Sequence, residues 1–215
     1  MADSSRSTRR PSARRLVGRP AGGADLRTAL LDAALRLLEE TGDPVEVTVA
    51  AILDAARCTP PTLYHYWATR DDLLREASHR GWEAFRDSQL DAVAGDEDAL
   101  QRIRRRGSAY LAFALERPSL FRVLFLDRRV PGSPEPDADA PGAALAALVA
   151  DVAAAMQSGL LRPGDPMTVP LALWGAIHGI ATLWAMNPGL PHELAREVAR
   201  VQQDAVIAGL QDQPS

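Results

Sequence analysis

Two consecutive prolines, Pro60 and Pro61, stand directly behind Thr59 in the segment TPPTLYHYW at residues 59–67. A proline pair has no backbone N–H to donate and holds φ near −65°, which excludes the interior of a strand and of a helix alike. The regular place left is the first turn of a helix, where no intrahelical acceptor exists and a preceding threonine acts as cap. A short helix is therefore expected from Thr59. It carries Tyr64, His65, Tyr66 and Trp67 together, in a chain where Phe, Trp and Tyr make up only 5% of residues.

Proline and glycine punctuate the rest of the chain in the same way. No period-2 run bounded by hairpin turns occurs, so the expected fold is all-α with about nine helices. Leu26, Leu30, Ala33, Ala34, Leu37 and Leu38 recur at helical spacing and predict a first helix over 24–41, stopped by Gly42. Thr48 caps a short second helix that buries Val49, Ile52, Leu53 and Ala56. The third starts at Thr59, and Leu63 and Trp67, four residues apart, face its core side. TRDD at 69–72 resembles a capping box with Asp72 in place of glutamate and opens a long fourth helix to about Val93. Further helices are expected over about 97–116, 118–125, 143–158, 167–186 and 191–210, with a mobile acidic, proline-rich loop at 130–142.

Charge divides the chain unevenly. The first 20 residues hold six arginines and one aspartate, while the whole chain is −4, so the remainder is strongly acidic. Residues 1–22 are expected to form a disordered arginine-rich tail, which either lies along nucleic acid phosphate or serves only as a solubilising arm. The lone Cys58 suits a reducing compartment, and the basic N-terminus lacks the apolar stretch of a signal peptide, which points to the cytoplasm. Sequence signatures of nucleophile elbows, phosphate loops, dinucleotide sites and zinc sites are absent, so no enzymatic activity, cofactor or metal is expected.

The second and third helices are separated by about three residues, ARC, the spacing of a helix-turn-helix. The stretch TVAAILDAARCTPPTLYHYWATRDDLLREA, from Thr48 to Ala77, resembles the DNA-binding domain of the TetR family of transcriptional regulators. ALRLLEETG at 34–42 fits the end of that family's first helix. The resemblance implies a helix-turn-helix domain over 23–70 and a helical ligand-binding and dimerisation domain over 71–211. It also implies that the third helix enters the major groove. Thr62, His65 and Tyr66 then reach base edges, with Pro60 and Pro61 in the leading turn. Thr59, Tyr64, Arg70, the cap residue Thr48 and the free backbone N–H groups at the starts of helices two and three are expected on phosphates. Arg57 stands where the family commonly has glycine, implying a strained left-handed turn, and Pro61 where it often has a small residue, implying a different set of bases read.

LALWGAIHGIATLWAM at 171–186, with Trp174, His178 and Gly179, resembles the Trp–His–Gly signature in the C-terminal domain of one branch of the family, as does LERPSLFRVLF at 115–125. The run 167–190 contains no charged side chain, long enough to raise a membrane-spanning reading. Pro170, His178, Thr182 and Asn187 within it, and the amphipathic helix behind it, favour instead a helix buried on both faces, without membrane insertion. Leu194, Val198, Val201, Ala205 and Ala208 form a seam on the last helix, so the last two helices are expected to form a homodimer interface. Tyr110, Phe113, Phe121, Met156, Trp174, His178 and Trp184 are candidates to surround an apolar ligand cavity, with His178 either touching ligand or satisfied by a backbone carbonyl. The resulting expectation is a homodimeric repressor that leaves a palindromic operator when a small apolar or amphipathic ligand binds. A regulator without a ligand, or a helical partner-binding module, is the alternative.

Overall fold

The computed structural model describes residues 23–95, 98–126 and 140–211; the arginine-rich tail and most of the acidic loop lie outside them. The described residues form nine α-helices and no strand: α1 Gly23–Thr41, α2 Val49–Ala56, α3 Pro60–Tyr66, α4 Arg70–Asp91, α5 Ala99–Glu116, α6 Pro118–Phe121, α7 Ala140–Gln157, α8 Thr168–Met186 and α9 His192–Leu210. The short α6 runs directly into a π-helical turn, Arg122–Leu126, where a single helix through 125 was expected.

The helix ends around the turn motif follow from their caps. Thr48 is extended, and its hydroxyl accepts the Ala51 N–H at 3.2 Å. At the other end of α2, Arg57 N–H donates to Asp54 C=O at 3.2 Å and Cys58 N–H to Leu53 C=O at 3.0 Å. That pair of bonds is a Schellman motif, which needs a left-handed residue at Arg57. Arg57 obliges with φ 53° and ψ 42°, the sole non-glycine residue at positive φ among those described. At α4, Thr69 and Asp72 make the reciprocal capping box, with Asp72 N–H to Thr69 Oγ1 at 3.1 Å and Thr69 N–H to Asp72 Oδ2 at 3.0 Å. The bonds from Thr69 and Arg75 hold the Asp72 carboxyl below the usual range.

Thr59 behaves differently. A cap hydroxyl accepts from the second or third helical N–H; here the second helical residue is Pro61, which has none, and the Thr62 N–H donates to the Thr59 carbonyl at 2.9 Å. The Thr59 hydroxyl is left to the Thr62 hydroxyl, 3.2 Å away.

Three apolar clusters hold the chain together. The first joins α1 to α4 through Leu30, Leu31, Leu38, Ile52, Leu63 and Leu74, with Trp67 closing it. The Trp67 indole N–H donates to Glu76 Oε2 at 2.8 Å, and Glu76 also pairs with Arg27, whose guanidinium lies over the Trp67 ring at 5.3 Å. The second cluster centres on Trp82, Phe85, Tyr110, Phe113 and Phe121, with Ile177, Ala181 and Trp184 from α8. The third, smaller one joins α5, α7, α8 and α9 around Ile103, Val152, Leu173 and Ile207. α8 is the one described helix long and apolar enough to cross a membrane, and it packs between α5, α7 and α9.

The caps generate two predictions. Thr48→Ala is expected to lower stability by about 1 kcal/mol, whereas Thr59→Ala, whose hydroxyl accepts no backbone donor, is expected to change it by less than about 0.5 kcal/mol; urea denaturation of both variants checks this. Arg57→Gly is expected to raise stability by about 1 kcal/mol by removing the left-handed strain, read as a higher urea midpoint at unchanged slope.

Candidate nucleic-acid interface and inner cavity

Seven residues of helix cannot stand alone in water, so α3 depends on its buried side for orientation. Leu63 is fully buried and Trp67 almost so, which turns the other face outward. Pro60, Pro61 and His65 are exposed, Tyr64 is 53% exposed, and the linked hydroxyls of Thr59 and Thr62 lie at the leading edge. The result is an exposed ridge of two hydroxyls, two proline rings, a phenol and an imidazole.

Three expectations change here. Tyr66, read as outward beside His65, is half-buried and packs against the first cluster, its ring edge-on to Trp67 at 5.6 Å, because it stands three residues on from the buried Leu63, on the same side of the helix. The start of α3 offers no free backbone N–H for phosphate: Pro60 and Pro61 have none and that of Thr62 is taken. Any phosphate contact there falls to hydroxyls. Arg70 is half-buried, its guanidinium donating to Asp71 Oδ1 at 2.8 and 3.0 Å and to the Val47 carbonyl at 3.4 Å, so it must exchange partners to meet a phosphate. Cys58 donates to the Ala56 carbonyl at 3.4 Å, and burial pushes its thiol up, away from the reactive thiolate.

The far half of the molecule contains a cavity walled by α4, α5, the π-helical turn, α7, α8 and α9. It spans about 650 Å³ of space free of protein atoms, its open mouth included. Of the seven candidates, Tyr110 and Trp174 line it. His178 stands one layer behind: its Nδ1 lies 2.8 Å from the Tyr110 hydroxyl, and its ring contacts Phe121, Phe125 and Trp174. Its polar partner is thus a phenol, rather than the backbone carbonyl considered from the sequence. Burial pushes the imidazole down and the phenol up, so both are neutral near pH 7 and share one hydrogen bond between neutral groups.

The other candidates face elsewhere. Phe121 is fully buried behind the wall, and Phe113 packs edge-on to Phe85 with Arg117 over its ring. Trp184 donates its indole N–H to the Pro191 carbonyl at 3.0 Å, fixing it at the α8–α9 turn, and Met156 packs in the third cluster. Unforeseen wall residues include Phe85 and Gln89 on α4, Arg106 on α5, Phe125 on the π-helical turn and Gln203 on α9. Gln89 and Arg106 lie one turn from Phe85 and Tyr110, so the four-residue spacing within each helix was the available signal.

Comparison with known proteins bears on both halves. A family model described as bacterial regulatory proteins of the tetR family matches residues 30–77, and one described as a tetracyclin repressor-like C-terminal domain matches residues 103–206. No curated protein matches the chain. Among solved structures, a protein with unknown function from Rhodococcus sp. RHA1 is similar over 92% of this chain and 100% of its own, at 25% identity and a TM-score of 0.74. A TetR family transcription regulator from Marinobacter aquaeolei VT8 is similar over 88% of this chain and 97% of its own, at 22% identity and a TM-score of 0.61. The transcriptional regulator FadR from Bacillus subtilis, solved in complex with stearoyl-CoA, is similar over 86% of this chain and 99% of its own, at 19% identity and a TM-score of 0.67.

Proposed function

This chain belongs to the TetR family of transcriptional regulators, and from that premise we propose that it is a homodimeric, cytoplasmic repressor whose α3 reads a palindromic operator and whose inner cavity takes a small amphipathic effector. The observation that carries the reading is the division of α3 into a buried face, Leu63 and Trp67, and an exposed ridge from Thr59 to His65. In this arrangement Thr62 and His65 meet base edges, Pro61 offers apolar surface to a thymine methyl, and Thr59 and Tyr64 meet phosphates.

Dimerisation is supported by an apolar surface on the last two helices. Leu171, Leu183 and Met186 on α8 and Leu194, Val198 and Val201 on α9 are all more than a third exposed in the single chain. Gly175 and Gly179 on α8 have open space where a Cβ would stand, room for a close helix from a second subunit. A two-fold pairing of this face presents two copies of α3 to successive major grooves, roughly 34–36 Å apart. It also accounts for the apolar length of α8 without a bilayer. Trp174, His178 and Gly179 support placement in the Trp–His–Gly branch.

The switch is carried by α4. Leu73, Leu74 and Ala77 belong to the reading head, and Phe85 and Gln89, three to four turns later, wall the cavity. An effector that fits the cavity best when α4 is displaced alters the separation of the two heads. Linkage then requires that operator weaken effector binding by the same factor. The acyl thioester bound by the Bacillus subtilis protein supports an amphipathic effector.

The test is binding of the full chain to promoter fragments followed by fluorescence anisotropy. A salt-dependent, sequence-selective complex with two subunits per operator is expected, and its absence on every fragment would sink the reading. His65→Ala is expected to lower discrimination between operator and scrambled DNA about tenfold. Tyr64→Ala is expected to weaken both complexes alike; the reverse pattern would mean that α3 lies in the groove by another face.

A further inference from the structure

Among the described residues that line the cavity, Arg106 is the one charged side chain and there is no carboxylate. Its side chain is 11% exposed. Its Nε donates to Asp151 Oδ2 at 2.6 Å and its Nη1 to the Gln89 carbonyl at 3.2 Å, while Nη2 has no partner among the described residues. Asp151, itself 6% exposed, receives Arg102 Nε on its other oxygen at 2.6 Å, so Arg106 shares its carboxylate with a second guanidinium. Nη2 is not among the side-chain groups sealed from solvent, so this donor is open to an arriving anionic acceptor, which gains the stronger, charge-assisted kind of hydrogen bond.

The surroundings add a second donor. A Cβ built on Gly107 would fall 1.9 Å from Gln203 Nε2, so only the missing side chain at 107 lets the Gln203 amide lie against α5 beside Arg106. One turn further along α5 the wall becomes aromatic. Tyr110, Phe85 and Phe125 meet with ring centroids 5.2–5.4 Å apart, and Trp174 lines the same space. The cavity therefore has a cationic, amide-lined end and an aromatic end.

We infer that the effector is a monoanionic amphiphile, an organic acid whose carboxylate pairs with Arg106 Nη2 and the Gln203 amide while its apolar body lies against Phe85, Tyr110, Phe125 and Trp174. This rests on the cavity's role as the effector site proposed above. A carboxylate held by a guanidinium and an amide gains charge-assisted hydrogen bonds that an alcohol or a cation of the same skeleton does not.

The test titrates the wild-type chain, by calorimetry and tryptophan fluorescence, with decanoate, decanol and decyltrimethylammonium below their micellar concentrations, and with 2-naphthoate against 2-naphthalenemethanol. At least one acid is expected to bind, and at least tenfold more tightly than its alcohol, about 1.4 kcal/mol. The Arg106→Gln variant, which leaves Asp151 paired with Arg102, is expected to abolish that ratio. Equal binding of acid and alcohol, preference for the cation, no binding by any probe, or a ratio that survives Arg106→Gln in a folded variant would each overturn the inference. The wild-type comparison decides the matter even if the variant fails to fold. Repeating the titration with operator DNA bound separates the two readings: release by the alcohol with no preference for acid removes only the anionic head, whereas tight acid binding that leaves the operator complex intact removes only the switch.

Discussion

One helix is shared by two hydrophobic cores, and most of the molecule follows from that. The N-terminal half of α4 contributes Leu73, Leu74 and Ala77 to the cluster that holds α1, α2 and α3, and its C-terminal half contributes Trp82 and Phe85 to the cluster beneath the cavity. Each of these large side chains stabilises its cluster by about 1.5–3 kcal/mol through burial. Neither half of α4 can move without disturbing packing in its own core. A displacement is therefore transmitted along the helix rather than absorbed in a hinge, because close-packed interiors do not deform smoothly.

The π-helical turn after α6 is the second strap between the halves. Val123 enters the reading-head core, and two residues on Phe125 walls the cavity, so a single turn touches both. Together with α6 it lies tightly on α4: a Cβ at Gly81 would come within 3.1 Å of Leu120 on α6 and 3.3 Å of Leu124 on the turn. The Arg117–Glu39 ion pair ties the start of the same segment to α1. Widening of the helix to an i→i+5 turn is a recurrent feature of functional positions. Here it turns two nearby side chains of one segment toward different cores.

Much of this was legible before any coordinates. The helices and their caps at Thr48 and Thr69 follow local rules, as do the burial of Leu63 and Trp67 and the left-handed Arg57 turn, since each involves neighbours within a few residues. What was misread at α3 was a competition: Thr59 looks like an ordinary cap, but Pro61 removes the donor it would have used. Tyr66 is half-buried, at the edge of a helix too short to have cleanly separated faces. The cavity was the least legible part. Phe113, Phe121, Met156 and Trp184 are apolar enough to line it, and only packing shows that they are taken up in the cores and at the α8–α9 turn.

The sequence by itself determined the elements, the reading head and the apolar seam on the last helix, because hydrophobic period, capping and turn chemistry act over a few residues and leave their pattern in the chain. Only the tertiary structure decided which apolar side chains enclose a cavity and which fill a core. It alone brought Arg102 and Arg106 to one buried Asp151, some 45 residues and more along the chain. The physical reason is that enclosure and charge balance are properties of facing surfaces. A buried arginine with an open donor and an exposed one read the same in a sequence, and they differ only once five helices and a turn close around one of them.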